Sequence, residues 1–276
     1  MAKVRAIVDA IRSVPGVLLL GWESDADHNR SVVTFAGESD AVVEGAVHGA
    51  GKAAELIDLS AHQGVHPRVG AADVIPFVPL DGSTMQDAVA AAHRSGEELW
   101  RRHGIPVYFY EQAARSTGRK RLERVRRKEF DGAPPDVGTV AVHPTAGASA
   151  VGARGLLVAY NVDLLTRDAV IAQAISRKIR ESSGGFPHVK AMGIYLTSRN
   201  CAQVSMNLVD FEHTPLDRVY DAISSAAREL GTEAVAGEII GFVPRRAYEM
   251  APEFFRHAQN FSESRILETR IAELLR

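Results

Sequence analysis

The sequence has little cysteine, no excess of charge and no long apolar run, and each absence excludes a class of protein. Cys201 is the only cysteine among 276 residues, which excludes an internal disulfide framework and a cysteine-based metal site. The formal net charge of -2 gives no basic footprint for nucleic acid. No run approaches the roughly 20 apolar residues of a membrane helix, and the N-terminus lacks the apolar region of a signal peptide. These features predict a cytoplasmic protein with no nucleic-acid or membrane partner.

One stretch, from Arg115 to Lys128, departs from this balance because it is rich in arginine and lysine. A solvated helix face explains such a run better than nucleic-acid binding. A third interpretation is that some of these cations meet an acidic substrate. The stretch therefore stays open between a structural and a substrate-binding role.

Helical spacing of apolar residues in the first half predicts a helix over 4–11, a helix that follows an N-cap at Ser39 and runs to 57, and a helix over 85–102 with Thr84 as its N-cap. Short apolar runs predict strands at 17–22, 31–35 and 105–110. The run 74–80 contains Pro76 and Pro79, so a strand there is short or lies at an edge.

The second half predicts strands at 156–161, 189–196, 203–209 and 239–243, with helices over 166–180 (capped by Thr166), 215–230 and 264–275. Without the last helix, this order is β-α-β-β-α-β, the ferredoxin-like pattern. The first half matches it from its helix onward and lacks the opening strand, which lies inside such a sheet. We therefore predict an α+β fold of two ferredoxin-like subdomains, 1–154 and 155–276, the first without its opening strand.

Three segments, 23–30, 62–73 and 136–154, are too polar or too rich in glycine and proline for ordinary connections, and loops often carry binding groups. The pattern Asp25-x-Asp-x-Asn resembles a calcium loop but lacks its glycine and acidic twelfth position. His62 and His66 have zinc-like spacing, yet Gly64 and Pro67 break the helix that such a pair requires. We therefore expect no metal.

Long motifs in and around these segments resemble the glutamate formiminotransferase family, in order and over almost the whole chain. They are Asp27-His-Asn-Arg-Ser-Val-Val-Thr-Phe, Leu56-Ile-Asp-Leu, Gly64-Val-His-Pro-Arg-Val-Gly-Ala-Ala-Asp-Val-Ile-Pro-Phe-Val-Pro, Ile105-Pro-Val-Tyr-Phe-Tyr, Gly147-Ala-Ser-Ala-Val-Gly-Ala-Arg, Ala159-Tyr-Asn-Val-Asp-Leu and Gln203-Val-Ser-Met-Asn-Leu.

The resemblance implies a homodimeric enzyme without a cyclodeaminase domain that moves a formimino group from formiminoglutamate to tetrahydrofolate, its co-substrate. His66, in the Gly-x-His-Pro-Arg motif, is then the catalytic residue, and Glu23 lies near it. The implied folate-binding stretch comprises Gly138, Thr139, Val140, Ala141, Val142, His143, Pro144, Thr145, Ala146 and Gly147.

Two arginines, Arg68 and Arg30, are our own candidates for binding the substrate carboxylates, because a guanidinium pairs with a carboxylate through two hydrogen bonds. For Arg68 a structural tie to Asp73 or to a helix end is equally open. Gln203 and Asn207 are candidates to line the cleft, or simply polar residues that fill a strand.

Two departures from the family pattern keep other functions open. The family begins with a strand and Val-Pro-Asn-Phe-Ser-Glu-Gly ahead of the first helix, which a late start or a true loss removes here. Val65 stands where the family commonly has glutamate before the catalytic histidine. The alternatives are formyl transfer between 5-formyltetrahydrofolate and glutamate, a folate-binding relative with little catalysis, and an interaction module.

Overall fold

The computed structural model describes residues 1–62, 68–126, 133–141 and 143–276. They form two compact units, the first made of Met1–Trp22 and Asn29–Gly155 and the second of Glu23–His28 and Leu156–Arg276. Across those ranges, no helix is both long enough and apolar enough to span a bilayer.

The first unit contains four helices and five strands in its described part, and the last residues of its first strand belong to the second unit. The helices are α1 (Ala2–Arg12), α2 (Ser39–Leu56), α3 (Met85–His103) and α4 (Leu122–Val125), and the strands are β1 (Leu18–Asp25), β2 (Arg30–Ala36), β3 (Val74–Phe77), β4 (Val107–Glu111) and β5 (Ser149–Ala153).

These five strands are divided between two sheets. β1 pairs with β2, and a separate parallel sheet has the order β3-β5-β4. The proline-containing β3 lies at an edge of its sheet, as its sequence predicts. The helices pack closely on this sheet, since a Cβ added at Gly96 of α3 would lie 2.6 Å from the ring of Phe109. Close packing of small helix residues on a buried aromatic strand forms the core of this unit.

The second unit begins with β6 (Val158–Leu164), α5 (Ala169–Ile179), β7 (Val189–Leu196), β8 (Cys201–Leu208), α6 (Leu216–Glu229) and β9 (Ala234–Ile240), and it ends with α7 (Arg245–Met250) and α8 (Leu267–Leu274). Its four strands form one antiparallel sheet in the order β7-β8-β6-β9. The opening strand, β6, therefore lies inside the sheet between β8 and β9. The buried Val158, Tyr160, Val162 and Leu164 of β6 belong to the core cluster that the α5 and α6 side chains complete.

A hairpin with the same kind of turn occurs in both units. Turns of four residues join β1 to β2 at 26–29 and β7 to β8 at 197–200. Each turn ends in an asparagine with left-handed backbone, Asn29 at φ 47° and Asn200 at φ 53°, a conformation that asparagine tolerates better than most residues. This equivalence supports the internal repeat inferred from the sequence.

The repeat predicts one sheet in the first unit, and the structure has two. The repeat matches β2 with β8 and β3 with β9, and in the second unit β6 lies between those two strands. In the first unit, β2 and β3 belong to different sheets.

Helix capping follows the prediction at one site and departs from it at two. Thr84 and Asp87 form a reciprocal capping box at the start of α3, as predicted. Ser39 is not an N-cap but the first residue of α2, and its hydroxyl accepts a hydrogen bond from Arg94. Asp168, rather than Thr166, caps α5 by accepting from the backbone of residue 170.

Two strands were mispredicted. The strand expected at 239–243 lies at Ala234–Ile240, and β5 was taken for part of a glycine-rich loop. β5 is central and wholly buried, and a Cβ at Gly152 would lie 2.4 Å from the ring of Tyr110 on β4. Its side chains are small because its neighbour's aromatic ring fills the space, so the run carries no strand-like signal from bulky residues.

Candidate functional site

Two of the three segments singled out by the sequence come together in the first unit. His66, with Gln63, Val65 and the rest of 63–67, lies outside the described residues, but both flanks are described. On the entry side, Nε2 of His62 lies 3.0 Å from the carbonyl oxygen of Asn29. The amide of Leu59 donates to the carbonyl of Thr145 at 2.8 Å, which joins this flank to the glycine-rich stretch.

The exit flank is bound still more tightly to that stretch. The amide of Ala71 donates to the carbonyl of Ala146 at 2.9 Å, and the amide of Ala148 donates to the carbonyl of Val69 at 3.0 Å. A Cβ added at Gly70 would lie 1.8 Å from the carbonyl oxygen of Ala148, so only glycine permits this approach. The backbone on both sides of the histidine segment is therefore fixed to the stretch that the resemblance assigns to folate.

A half-buried carboxylate, Asp73, holds the exit flank from the other side. Asp73 accepts the amide of Val69 at 2.7 Å and forms an ion pair with Arg126 at 2.5 Å. Asp73 is thus held by the amide of Val69 and by Arg126, and the alternative of a structural tie between Arg68 and Asp73 stays a prediction. Arg68 itself is half-buried at the end of the undescribed segment, and Arg30 is half-buried at the start of β2.

The glycine-rich stretch ends in a tight turn. The backbones of His143 and Gly147 exchange two hydrogen bonds, of 3.1 and 3.0 Å, and Nδ1 of His143 accepts the amide of Ala146 at 3.0 Å. Gly147 has a left-handed φ of 68°, and Gly138 one of 99°. Residues 138–141 are exposed, whereas Val142 lies outside the described residues. The stretch thus presents exposed backbone with small side chains on a fixed base, a surface that a flat ring can approach closely.

Glu23, which the resemblance predicts to lie near His66, belongs to the second unit. One carboxylate oxygen accepts the amide of Gly241 at 2.8 Å, and the other forms an ion pair with Arg265. Arg265 also donates to the carbonyl oxygen of Gly241 at 3.2 Å. The carboxylate therefore has a fixed position and a compensated charge.

A polar cluster on one face of the second sheet was not predicted from the sequence, although one of its members, Gln203, was a candidate to line the cleft. Asn161 and Asp163 are two residues apart on β6 and so share a face, and the strand register places Glu238 opposite the first and Gln203 opposite the second. The amide of Gln203 donates to Asp163 at 2.7 Å, and that of Asn161 donates to Glu238 at 2.9 Å. Arg199 bridges both carboxylates, at 3.1 and 2.6 Å.

The signal for this cluster was present in the sequence as polar residues in an otherwise buried strand, which are rare without a partner. Gln203 is fully buried within it, whereas Asn207, the other polar residue considered on β8, is exposed. The cluster contains two carboxylates and one arginine, so it suits a ligand group that carries positive charge or donates hydrogen bonds.

Cys201 lies beside this cluster but is a poor nucleophile. Burial raises the pKa of its thiol, and the negative charge of Asp163 raises it further. The reactive form of a cysteine is the thiolate, so a raised pKa lowers its reactivity at neutral pH. Cys201 is half-buried, at the first residue of β8.

The basic stretch Arg115–Lys128 is not simply a solvated helix face. Its described part contains two short helical segments, the 3-10 helix Thr117–Arg119 and α4. Arg119 is 13% exposed in an ion pair with Asp136 at 2.7 Å. Arg126 pairs with Asp73, as described above. These two arginines stabilise the loops that surround the candidate site.

Comparison with known proteins covers both units. Residues 1–154 match the N-terminal subdomain of the formiminotransferase domain, and residues 159–274 match the formiminotransferase domain. A glutamate formimidoyltransferase of Streptococcus pyogenes is 40% identical over 98% of this chain and 94% of its own length.

Two further relatives come from distant lineages. A glutamate formimidoyltransferase of Thermoplasma acidophilum is 40% identical over 98% of this chain and 92% of its own length. The formimidoyltransferase-cyclodeaminase of Gallus gallus is 41% identical over 91% of this chain, which corresponds to 49% of that protein.

Proposed function

This chain belongs to the formiminotransferase family and is a transferase, and from that premise we propose that it moves a formimino group from N-formimino-L-glutamate to N5 of tetrahydrofolate. The products are 5-formimidoyltetrahydrofolate and glutamate. The observation that carries the proposal is 40% identity, over 98% of the chain, to proteins named glutamate formimidoyltransferase.

The reaction requires one proton to be taken up and one to be delivered. N5 of the folate attacks the amidine carbon, a tetrahedral intermediate forms, and the bond from that carbon to the glutamate nitrogen breaks. The proton that leaves N5 must reach the departing nitrogen. One imidazole can serve both steps, since an unperturbed histidine has a pKa of about 6.5. We assign this general acid–base role to His66.

Glu23 is proposed as a positioning residue that orients the imidazole and stabilises its charged form. Support comes from its own environment, because the Gly241 amide and Arg265 hold both carboxylate oxygens. A carboxylate fixed in this way keeps its position without side-chain motion. Glu23→Gln, which retains the shape and removes the charge, should lower kcat more than it changes KM.

The folate is proposed to bind along Gly138–Gly147, with Arg68 and Arg30 meeting substrate carboxylates. The exposed backbone of 138–141 supports this assignment, as does the turn between His143 and Gly147 that fixes the end of the stretch. Small side chains let a pteridine ring lie against the backbone. Arginine suits a carboxylate because its guanidinium donates two parallel hydrogen bonds.

At the level of architecture, we propose ferredoxin-like subdomains at 1–154 and 155–276, a homodimer and a cytoplasmic location. The strand order β7-β8-β6-β9 and the repeated hairpin turns support the common subdomain plan.

Two related functions remain as alternatives, and one set of assays separates them from the proposal. The 276-residue chain is given formiminoglutamate with tetrahydrofolate, and separately 5-formyltetrahydrofolate with glutamate, while calorimetry measures tetrahydrofolate binding. Faster turnover of the formimino pair supports the proposal, and faster turnover of the formyl pair replaces it with formyl transfer. Binding without turnover of either pair identifies a folate-binding relative. Val65 and the absent strand are then the first features to test as causes of the lost activity.

A further inference from the structure

A cluster of possible metal ligands lies in the second unit, outside the proposed chemistry. His188, Asp210 and His213 each offer one ligand atom, and these three atoms lie within 4.8 Å of one another. Nδ1 of His213 is 2.8 Å from Oδ2 of Asp210, and the two imidazole rings are 5.3 Å apart between centroids. Among the described residues, this is the one group of three or more such side chains.

The backbone holds the two segments of this cluster in place. The amide of Val209 donates to the carbonyl of His188 at 2.9 Å, and the hydroxyl of Thr214 donates to the carbonyl of Pro187 at 2.7 Å. These bonds join the residues just before β7 to the loop that follows β8. The residues that carry the ligands therefore cannot separate without breaking these hydrogen bonds.

The loop after β8 is also ordered within itself. Asp210 accepts the amide of His213 at 3.1 Å through its other oxygen, Oδ1. Phe211, between them in sequence, is 7% exposed and belongs to the core cluster of the unit. His188 adopts a left-handed φ of 61°, a conformation that is uncommon outside glycine but that histidine adopts more readily than most residues.

We propose that His188, Asp210 and His213 bind one divalent transition-metal ion of the zinc type. Two imidazoles and one carboxylate form a donor set typical of zinc sites with three protein ligands and an open position for water. Metal bonds of roughly 2.0–2.2 Å place the donor atoms about 3.3 Å apart in a tetrahedral site. Atoms already within 4.8 Å reach that spacing by small rotations of side chains.

The plain alternative is an ion pair between Asp210 and His213 with the second imidazole beside it. The chain contains a natural control for that case, because His48 and Glu44 form such a pair at 3.6 Å on α2. A pair of this kind offers two ligands, and the proposed site offers three. The spacing of the three residues along the chain matches no metal-site pattern, so the sequence alone does not predict this site.

The test is titration of the untagged, metal-free chain with zinc chloride by calorimetry, repeated with cobalt(II) to follow its visible absorption. We expect one ion per chain and a higher melting temperature with metal, since a ligand that binds the folded state stabilises it. His188→Ala and His213→Ala should each weaken binding at least about tenfold, because even residues behind the ligands contribute 10–100-fold. His48→Ala should bind as the wild type does.

Asp210→Asn guards against a variant that fails to fold. Its amide oxygen still accepts the His213 amide, so the loop remains ordered while the charged ligand is lost. The far-ultraviolet circular dichroism of each variant should match the wild type. Wild-type chain that binds no ion at a one-to-one ratio overturns the proposal. Unchanged affinity in folded His188→Ala and His213→Ala overturns it equally, because the ion would then be bound elsewhere.

Discussion

Replacing Gly70 with alanine tests the contact between the histidine segment and the glycine-rich stretch. The added Cβ would lie 1.8 Å from the carbonyl oxygen of Ala148, whereas carbon and oxygen approach without clash only to about 3.3 Å. The two strands of backbone must therefore separate by about 1.5 Å. The obstacle is backbone rather than a flexible side chain, so no rotation relieves it.

That separation stretches two backbone hydrogen bonds, Ala148 to Val69 at 3.0 Å and Ala71 to Ala146 at 2.9 Å, past useful length. Each such bond contributes about 0.5–1.5 kcal/mol, and buried groups left unpaired cost more. We expect Gly70→Ala to lower the free energy of unfolding of the first unit by about 2–3 kcal/mol. Tetrahydrofolate should also bind more weakly.

The assay is urea unfolding followed by tryptophan fluorescence, because both tryptophans, Trp22 and Trp100, belong to the first unit. Gly118→Ala is the matched control, since its Cβ would meet nothing within 4 Å. That change should be neutral or stabilise by up to about 1 kcal/mol. If Gly70→Ala unfolds at the same urea concentration as Gly118→Ala, the contact is not as tight as described and the reasoning fails.

Three further predictions concern other parts of the chain. Hydrogen bonds from Ser198 hold the pKa of Asp27 below its ordinary value of 3.8. This stabilisation is present above pH 3.8 and is lost as the pH falls through the lower folded pKa, so the melting temperatures of wild type and Asp27→Asn should differ at about pH 7 and converge once the pH is below that folded pKa. Thr84→Ala, which leaves Asp87 without its capping partner, should cost about 1 kcal/mol in the same fluorescence assay, and no loss would show that the cap is dispensable. Because burial raises the pKa of Cys201, its thiol should react slowly with iodoacetamide at pH 7 and Cys201→Ala should keep its turnover; fast labelling or lost turnover would contradict this.

The local elements were largely predictable from the sequence. The helical spacing of Val4, Ile7 and Ile11 gives α1, the proline content of 74–80 marks an edge strand, and β7 lies at the predicted residues. These signals act over a few residues, where side-chain periodicity decides the structure.

The failures came from tertiary packing. β5 was missed because its small residues fit against Tyr110, a neighbour that only the folded chain provides. The cluster of Asn161, Asp163 and Gln203 depends on strand register, which brings β6 beside β8. Register is set by the whole sheet, and local periodicity does not encode it.

The candidate site was predictable in part. The sequence marked 62–73 and 136–154 as unusual, and the structure joins them through Gly70 and Gly147. The ion pair between Glu23 and Arg265 was not predictable, because these residues are far apart along the chain.

The most direct test of the account is formimino transfer by the wild-type chain, His66→Ala and the control His62→Ala, with formiminoglutamate and tetrahydrofolate. His62 is a suitable control because it is the other histidine of the segment 62–73. Its ring contacts the backbone of Asn29. We predict that His66→Ala lowers kcat by about 10²–10⁴-fold, still binds tetrahydrofolate and remains folded, while His62→Ala keeps most of its activity. A folded His66→Ala variant that turns over at the wild-type rate would contradict the general acid–base role and, with it, the proposed mechanism.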